Sequence, residues 1–137
     1  TGDGTQPNWE PGSFNRVMAD VPCSGLGSLR RRPESRWRRT PEEVKELHQL
    51  QADLLSSAID ATAPGGAIAY VTCSPHHAET AAIVNQMADE RVEVLDAPSY
   101  LPEVPNARAL SDQRFVQLWP HRHGTDAMFL SLLRRRA

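Results

Sequence analysis

Two short runs of strand-forming residues enclose one long helical pattern, and this order constrains the fold more than any other feature. The first run, FNRVMADV, covers residues 14–21 and ends before Pro22. The helix starts at a capping box, with Thr40 as the N-cap, Pro41 as the first helical residue and Glu43 reaching back to the cap. Apolar residues then recur at spacings of three and four as far as APGG, which predicts about six helical turns.

A second strand-like run, AIAYVTC, covers residues 67–73 directly after the helix. A strand, a helix and a second strand in this order predict a right-handed crossover between parallel strands. Another helical pattern follows at 77–90, then the strand VEVLD, a proline-rich connection at 97–113 without regular structure, and two strands in FVQLWP and AMFLSLLRRR. We predict an α/β fold with a mainly parallel sheet, both main strands buried, and an antiparallel strand near the end.

The chain of 137 residues is long enough for one domain with a sizeable core. It contains no run of about 18 apolar residues that could span a bilayer, so we expect no membrane partner. It begins without Met and without a secretory signal, which predicts a cytoplasmic piece of a longer protein. The two cysteines are expected to be free thiols, with a structural disulfide as the less favoured alternative.

Each cysteine follows one of the two predicted parallel strands. The carboxyl ends of such strands meet at one edge of a sheet, so we expect Cys23, Cys73 and Asp20 to lie on the same rim. A thiol is a strong nucleophile only as thiolate, and loop amides, helix N-termini and arginines lower its pKa. Taken one at a time, each cysteine is also consistent with a small buried hydrophobic residue. Their paired placement beside an acid favours a catalytic site.

A zinc site is the alternative use of these side chains. Cys73, His76, His77, His121 and His123 offer suitable ligands, and the two close pairs would be Cys73 with His76 and His121 with His123. Structural zinc sites usually contain two close pairs of ligands, and prolines interrupt or adjoin both pairs in this chain. We therefore expect no metal: His76 and His77 begin a helix, and His121 and His123 lie in a loop.

The segment RRRPESRWRR, residues 30–39, is strongly basic although the net charge of the chain is −2. Arginine pairs with phosphate and tryptophan stacks on bases, so this loop is a candidate RNA-binding surface. The alternative is a solvated loop with no partner. The candidate RNA-binding residues are Arg30, Arg31, Arg32, Arg36 and Trp37.

Several motifs together resemble those of the RsmB/Sun (Fmu) family, which are AdoMet-dependent RNA cytosine-5 methyltransferases. They are DVPCSGLG at 20–27, RRRPESRW, LHQLQADLLSSAI, GGAIAYVTCSPHHAET at 65–80 and LWPHRHGTDAMFLSLLR. The resemblance implies that residues 1–137 form one partial domain, the C-terminal half of a Rossmann-like methyltransferase domain. It also implies an RNA substrate, most closely ribosomal RNA, and the cofactor S-adenosyl-L-methionine.

The resemblance also assigns roles to individual residues. It makes Cys73 the nucleophile that adds to cytosine carbon 6, and it associates Cys23 with product release. Asp20 would hold the polar edge of the base, and Asp3, Asp20 and Pro22 would contact the cofactor. The residues themselves leave open which cysteine attacks, because DNA cytosine methyltransferases use the cysteine of a Pro-Cys motif, here Cys23.

The family opens its catalytic domain with a strand and a glycine-rich loop that binds the methionine part of AdoMet, and we find no such segment in this sequence. We expect this main binding loop to lie outside the chain. The 137-residue chain alone is then expected to be inactive, to bind AdoMet poorly and to self-associate through the unpaired edge of the strand at 14–21. The alternative function is a non-catalytic RNA-binding half-domain.

Overall fold

The computed structural model describes residues 2–137. Its helices and strands, in chain order, are β1 (Phe14–Asp20), α1 (Ser35–Arg38), α2 (Pro41–Ala61), β2 (Thr62–Thr72), α3 (Ala81–Met87), β3 (Val92–Val94), β4 (Val116–Gln117), α4 (Pro120–His123) and β5 (Phe129–Arg135). Short 3-10 helices cover Leu26–Ser28, His77–Glu79 and Ala97–Tyr100. The predicted order of strand, long helix and strand is confirmed.

Helix α2 begins at the predicted capping box. The Thr40 hydroxyl accepts a hydrogen bond from the Glu43 amide at 3.3 Å, and the Glu43 carboxylate accepts one from the Thr40 amide at 3.0 Å. A cap of this kind contributes about 1 kcal/mol. The helix buries one face, which includes Leu55 and Ile59, against the sheet and ends at Ala61.

The sheet has the strand order β1-β2-β5-β3, and β4 pairs with β5. Strands β1 and β2 are parallel, whereas β5 is antiparallel to β2, β3 and β4. The α/β class and the antiparallel strand near the end are therefore confirmed. Strands β1, β2, β3 and β4 therefore run in one direction, and β5, which lies between β2 and β3, runs opposite to them. The predicted mainly parallel sheet is thus confirmed for the described residues.

Strand β1 lies at one edge of this sheet. Phe14 and Met18 are 43 % and 71 % exposed, so the expectation that β1 is buried on both faces is wrong for the described residues. Its position explains the exposure, since β2 is its sole strand partner within residues 2–137. Strand β2 is central, and its Ile68 and Tyr70 are fully buried, as predicted.

The main core lies between α2, α3 and the sheet. Its largest fully buried side chains include Tyr70, Phe115 and Phe129, which pack edge to face with ring centroids 6.3 Å and 5.2 Å apart. His121 and His123 lie in the short helix α4 and not in a loop, whereas His76 caps a 3-10 helix as expected. Within residues 2–137, every helix is too short or too polar to cross a membrane.

Candidate active site

The carboxyl ends of β1 and β2 bring the two cysteines together. Asp20 at the end of β1 pairs with Val71 of β2, so the segments that follow these residues leave the sheet side by side. The Sγ atoms of Cys23 and Cys73 are 3.1 Å apart, and both side chains are half-buried free thiols. The two cysteines thus lie on the same rim of the sheet, and their sulfur atoms are in direct contact.

This contact makes the two thiols unequal. The hydrogen bond from Cys23 lowers the pKa of Cys73 to about 7. The same hydrogen bond, together with burial, raises the pKa of Cys23, which is the more buried of the two. The carboxylates of Asp20 and Asp126 oppose the ionisation of Cys73 but do not outweigh the sulfur contact. When the pair loses a proton, the negative charge therefore lies on Cys73.

The sequence suggested other causes for such a shift. Helix α3 starts only at Ala81, and the 3-10 helix of His77–Glu79 lies between its N-terminus and the Cys73 loop along the chain. Arg31 is bound to Asp126 at 2.5 Å, and its charge is also attracted to the Cys73 thiolate, which contributes to the raised pKa of Arg31. The largest cause of the lowered pKa of Cys73 is the other cysteine, which the spacing of the motifs did not indicate.

The three predicted cofactor-binding residues, Asp3, Asp20 and Pro22, are all exposed. Asp20 is exposed at the end of β1, in a cleft of about 180 Å³ that it shares with Gly4 and Trp9. Asp3, next to Gly4, accepts hydrogen bonds from the amide and hydroxyl of Thr5, which lower its pKa. Pro22 lies outside this cleft, and its carbonyl accepts a hydrogen bond from Gln51 at 2.9 Å.

A buried carboxylate behind the cysteines was missed at the level of sequence. Glu79 is fully buried and accepts hydrogen bonds from the Ser24 amide at 2.7 Å, the Ser24 hydroxyl at 2.6 Å and the Ser74 hydroxyl at 2.6 Å. Burial by itself would raise the pKa of Glu79, but these hydrogen bonds lower it below its ordinary value. The glutamate lies within the same family-like motif as Cys73, and that was the available signal.

The basic segment at residues 30–39, which we call the arginine loop and which contains α1, forms ion pairs with the rest of the protein through two of its arginines. Arg30 and Arg31 both bind Asp126, which is 9 % exposed and was also missed at the level of sequence. Arg36 instead stacks on Trp37, with its guanidinium carbon 4.6 Å from the ring centroid. Trp37 is 78 % exposed. The other three residues of the predicted RNA-binding set are exposed: Arg32, Arg36 and Trp37. Neither of these two arginines forms an ion pair within residues 2–137.

The ion pairs of Asp126 make the free energy of unfolding depend on pH. Hydrogen bonds from Arg31 and Arg30 lower the pKa of Asp126 from 3.8 to about 2. A carboxyl group whose pKa is lower in the folded than in the unfolded protein stabilises the fold at pH values above its unfolded-state pKa. This stabilisation is lost as the pH falls through the folded-state pKa. We expect the difference in unfolding free energy between the parent and Asp126→Asn to be constant above about pH 4 and to shrink toward pH 2.

Urea unfolding at a series of pH values measures this difference. Arg31→Gln removes the principal partner of Asp126, so its own difference from the parent should shrink over the same pH range. A difference that stays constant down to about pH 2 would contradict a contribution from the ion pair.

Residues 2–137 contain no group of three or more His, Cys, Asp or Glu side chains that could hold a metal ion. The histidines that the zinc alternative would use make other contacts. His76 accepts a hydrogen bond from the Ala78 amide at 3.2 Å, and His123 accepts one from the Trp119 amide at 2.9 Å. These contacts cap local turns and bring no ligand toward Cys73.

The crossover, the antiparallel β5 and the polar edge at the ends of β1 and β2 define part of a Rossmann-like methyltransferase fold. The solved structure of PH0851 superimposes with a TM-score of 0.82 and 29 % identity, over 91 % of this chain and 27 % of that one. The structure of NSun6 from Pyrococcus horikoshii with SFG superimposes with a TM-score of 0.73 over 88 % of this chain, and at 22 % identity it supports the fold alone.

The family itself is established by sequence comparison. Residues 1–134 match the family described as 16S rRNA methyltransferase RsmB/F, and the chain belongs to this family. The resemblance noted in the motifs is thereby confirmed.

Curated relatives agree with this assignment. "Putative methyltransferase Rv1407" from Mycobacterium tuberculosis is 52 % identical over 97 % of this chain, which covers 29 % of that protein. "Ribosomal RNA small subunit methyltransferase F" from Aliivibrio fischeri is 30 % identical over 93 % of this chain, which covers 27 % of its length. The chain thus spans less than a third of the length of these relatives.

Proposed function

We propose that this chain forms the cysteine-bearing part of an RNA cytosine-5 methyltransferase whose substrate is ribosomal RNA. The observation that carries the proposal is the 3.1 Å contact between Cys23 and Cys73 at the carboxyl edge of the sheet. This contact supplies a thiolate on Cys73, which is the reactive group that addition to cytosine requires. Covalent trapping of RNA that contains 5-fluorocytosine tests the proposal.

Carbon 5 of cytosine is too weak a nucleophile to be methylated directly. In the proposed mechanism the Cys73 thiolate forms a bond to carbon 6, and the electron pair of the 5,6 double bond moves to carbon 5. The cofactor AdoMet, when bound, supplies the methyl group. Loss of the carbon 5 proton then restores the double bond and expels Cys73 as thiolate. The target base must leave its stack for the sulfur to reach carbon 6.

The contact between the thiols explains why two cysteines would be needed. The Cys23 S–H stabilises the negative charge on Cys73 before addition, as the lowered pKa of Cys73 indicates. The same donor would stabilise that charge when the carbon–sulfur bond breaks, so Cys23 assists product release. Asp20, exposed on the same rim, would accept hydrogen bonds from the polar edge of the base.

The described residues fit one end of the cofactor. The cleft beside Asp20 contains an aromatic side chain, Trp9, and a carboxylate that can accept hydrogen bonds from hydroxyl groups. Asp3 and Asp20 would hold the cofactor there, and Pro22 would contact it at the end of the strand. A cleft of about 180 Å³ is smaller than a typical ligand pocket of about 300 Å³ or more, so we expect the chain by itself to bind AdoMet poorly.

The arginine loop is the proposed RNA-binding surface. Trp37 is exposed and has Arg36 stacked on its ring, so one base can stack on the indole while the guanidinium contacts a phosphate. Arg30 and Arg31 would contribute positive charge from fixed positions, since Asp126 holds them, and Arg32 extends the same surface. A ribosomal RNA substrate and two free thiols are consistent with a cytoplasmic protein.

We expect Trp37→Ala to weaken binding of a single-stranded RNA about tenfold, because stacking on one aromatic side chain contributes on the order of 1–3 kcal/mol per base. Arg36→Ala should weaken binding less, and more at low salt than at high salt. Fluorescence anisotropy with a labelled oligonucleotide measures both effects. Arg91→Ala is the control, because it removes an arginine outside the arginine loop whose charge is paired with Asp60 and Asp89. Equal weakening by Arg91→Ala would contradict a specific role for the loop.

We also propose that the 137-residue chain self-associates through β1. The exposed sheet face around Met18 includes the apolar side chains of Ala69 and Leu132, which lie beside it in register, and β1 leaves one edge unpaired within the described residues. Met18→Lys should weaken association about tenfold or more, because a charge on an edge strand opposes strand pairing. Sedimentation velocity measures the change. Leu110→Lys is the control, since Leu110 is 91 % exposed and lies outside the sheet; an equal effect there would contradict the proposal.

A further inference from the structure

We propose that Glu79 is a positioning residue that holds the two cysteine loops, residues 21–28 and 73–76, at the separation at which their thiols touch. The inference rests on the proposed function only in that the paired thiols carry the chemistry. Glu79 does not reach the rim itself, because its carboxylate is fully buried behind the loops. It therefore acts through the cysteines and not on a substrate.

One carboxylate binds the residue that follows each cysteine. The first oxygen of Glu79 accepts from the Ser24 amide at 2.7 Å, and the second accepts from the hydroxyls of Ser24 and Ser74, each at 2.6 Å. Both serines are fully buried. Each thiol is thus adjacent in sequence to a residue bound to the same carboxylate, although the two loops are far apart along the chain.

The carboxylate is itself held by the scaffold. The Gln51 side chain of α2 donates to Glu79 at 3.1 Å and to the Pro22 carbonyl at 2.9 Å. The Tyr70 hydroxyl of β2 donates to the backbone carbonyl of Glu79 at 2.8 Å. A buried carboxylate is costly unless it is hydrogen-bonded, and the Glu79 carboxylate accepts from Ser24, Ser74 and Gln51. The loops are therefore positioned relative to α2 and β2 through Glu79.

Two possible physical roles of Glu79 predict opposite changes in the pKa of Cys73 when Glu79 is replaced. If Glu79 positions the loops, its loss separates the thiols, and the pKa of Cys73 rises because the Cys23 donor is lost. If Glu79 acts through its charge, its loss removes a repulsion, and the pKa of Cys73 falls. Measuring the pKa of Cys73 in variants therefore distinguishes a positioning role from an electrostatic one.

Four variants of the 137-residue chain make the test. Glu79→Ala removes every contact of the carboxylate, whereas Glu79→Gln removes the charge but leaves a side chain that can still hydrogen-bond both serines. Ser74→Ala releases one loop. Thr62→Val is the matched control, because it deletes a fully buried hydroxyl that binds the Ala58 carbonyl at 2.7 Å at the other end of β2.

Two measurements need no methyl transfer. The first is the pH profile of Cys73 alkylation by iodoacetamide, assigned by peptide mass spectrometry. The second is the equilibrium of the Cys23–Cys73 disulfide in glutathione buffers: one oxidised glutathione takes two electrons and becomes two reduced glutathione molecules as the two thiols form the S–S bond. The disulfide equilibrium reports how closely the loops are held together.

We expect Glu79→Ala and Ser74→Ala to raise the midpoint of Cys73 alkylation from about 7 toward the ordinary cysteine value of about 8.5. The disulfide equilibrium constant should fall about tenfold or more, because the effective concentration of one thiol at the other falls. Glu79→Gln and Thr62→Val should stay within about twofold of the parent.

Any of three results would overturn the proposal. In the first, Glu79→Ala and Ser74→Ala have the alkylation midpoint and disulfide equilibrium of the parent. In the second, Thr62→Val changes both quantities as much as they do, and in the third, Glu79→Ala and Glu79→Gln both lower the alkylation midpoint of Cys73. Circular dichroism checks folding, and if Glu79→Ala does not fold, Ser74→Ala decides the test. If the expected shifts occur but a protein of the relatives' full length that carries this chain traps no RNA, the proposed function is contradicted while the positioning role is retained.

Discussion

Replacing Cys73 by alanine should abolish covalent trapping of RNA that contains 5-fluorocytosine, with a loss of about 100-fold or more, because the adduct then lacks its nucleophile. Replacing Cys23 by alanine should leave trapping in place. Fluorine at carbon 5 blocks the proton loss that would release the enzyme, so the adduct accumulates and is counted on a denaturing gel. The experiment uses a protein of the relatives' full length that carries this chain, because the chain spans less than a third of them.

Serine at position 23 provides the matched control. Cys23→Ser keeps a hydrogen-bond donor to the Cys73 sulfur, whereas Cys23→Ala removes it. Adduct formation should therefore be slower below about pH 8 in Cys23→Ala than in Cys23→Ser, because fewer Cys73 thiols are ionised. Trapping by Cys73→Ala but not by Cys23→Ala would reverse the two roles. A parent protein that binds RNA but never traps it would favour the non-catalytic RNA-binding half-domain.

Replacing Gly27 by alanine should destabilise the protein by about 3 kcal/mol or more. A Cβ atom on Gly27 would lie 2.0 Å from the Ala127 carbonyl oxygen and 2.7 Å from the Cys73 carbonyl oxygen. Both atoms belong to backbone, so neither can move aside without shifting a segment. The Gly27 amide also donates to the Cys73 carbonyl at 2.9 Å, and the Gly27 carbonyl accepts from the Ala127 amide at 2.8 Å. The substitution therefore separates the two cysteine loops as well.

Urea unfolding measures the loss, and Gly65→Ala is the control. Gly65 has a φ of +79°, but no atom lies within 4 Å of a Cβ built there. Its substitution should cost only about 1–2 kcal/mol of left-handed backbone strain. The alkylation profile of Cys73 should shift in Gly27→Ala and not in Gly65→Ala. If Gly27→Ala costs no more than Gly65→Ala, the close approach at Gly27 does not constrain the site.

The elements that sequence patterns predicted well are those that depend on near neighbours. The capping box at Thr40 and the apolar spacing of α2 act within a few residues, so their outcome can be read locally. The pairing of β5 depends on contacts that join distant parts of the chain. The sequence predicted an antiparallel strand near the end of the chain but did not show that it lies between β2 and β3.

For the site, the sequence by itself determined that two cysteines and Asp20 follow parallel strands, and hence that they share one edge of the sheet. Only the tertiary structure decided that the sulfur atoms touch, that Cys73 is the thiol that ionises, and that Glu79 links the two loops. It also paired Arg30 with Asp126, 96 residues along the chain. The physical reason is that a hydrogen bond changes strength over tenths of an ångström, whereas residue spacing locates a side chain only to an edge or a face.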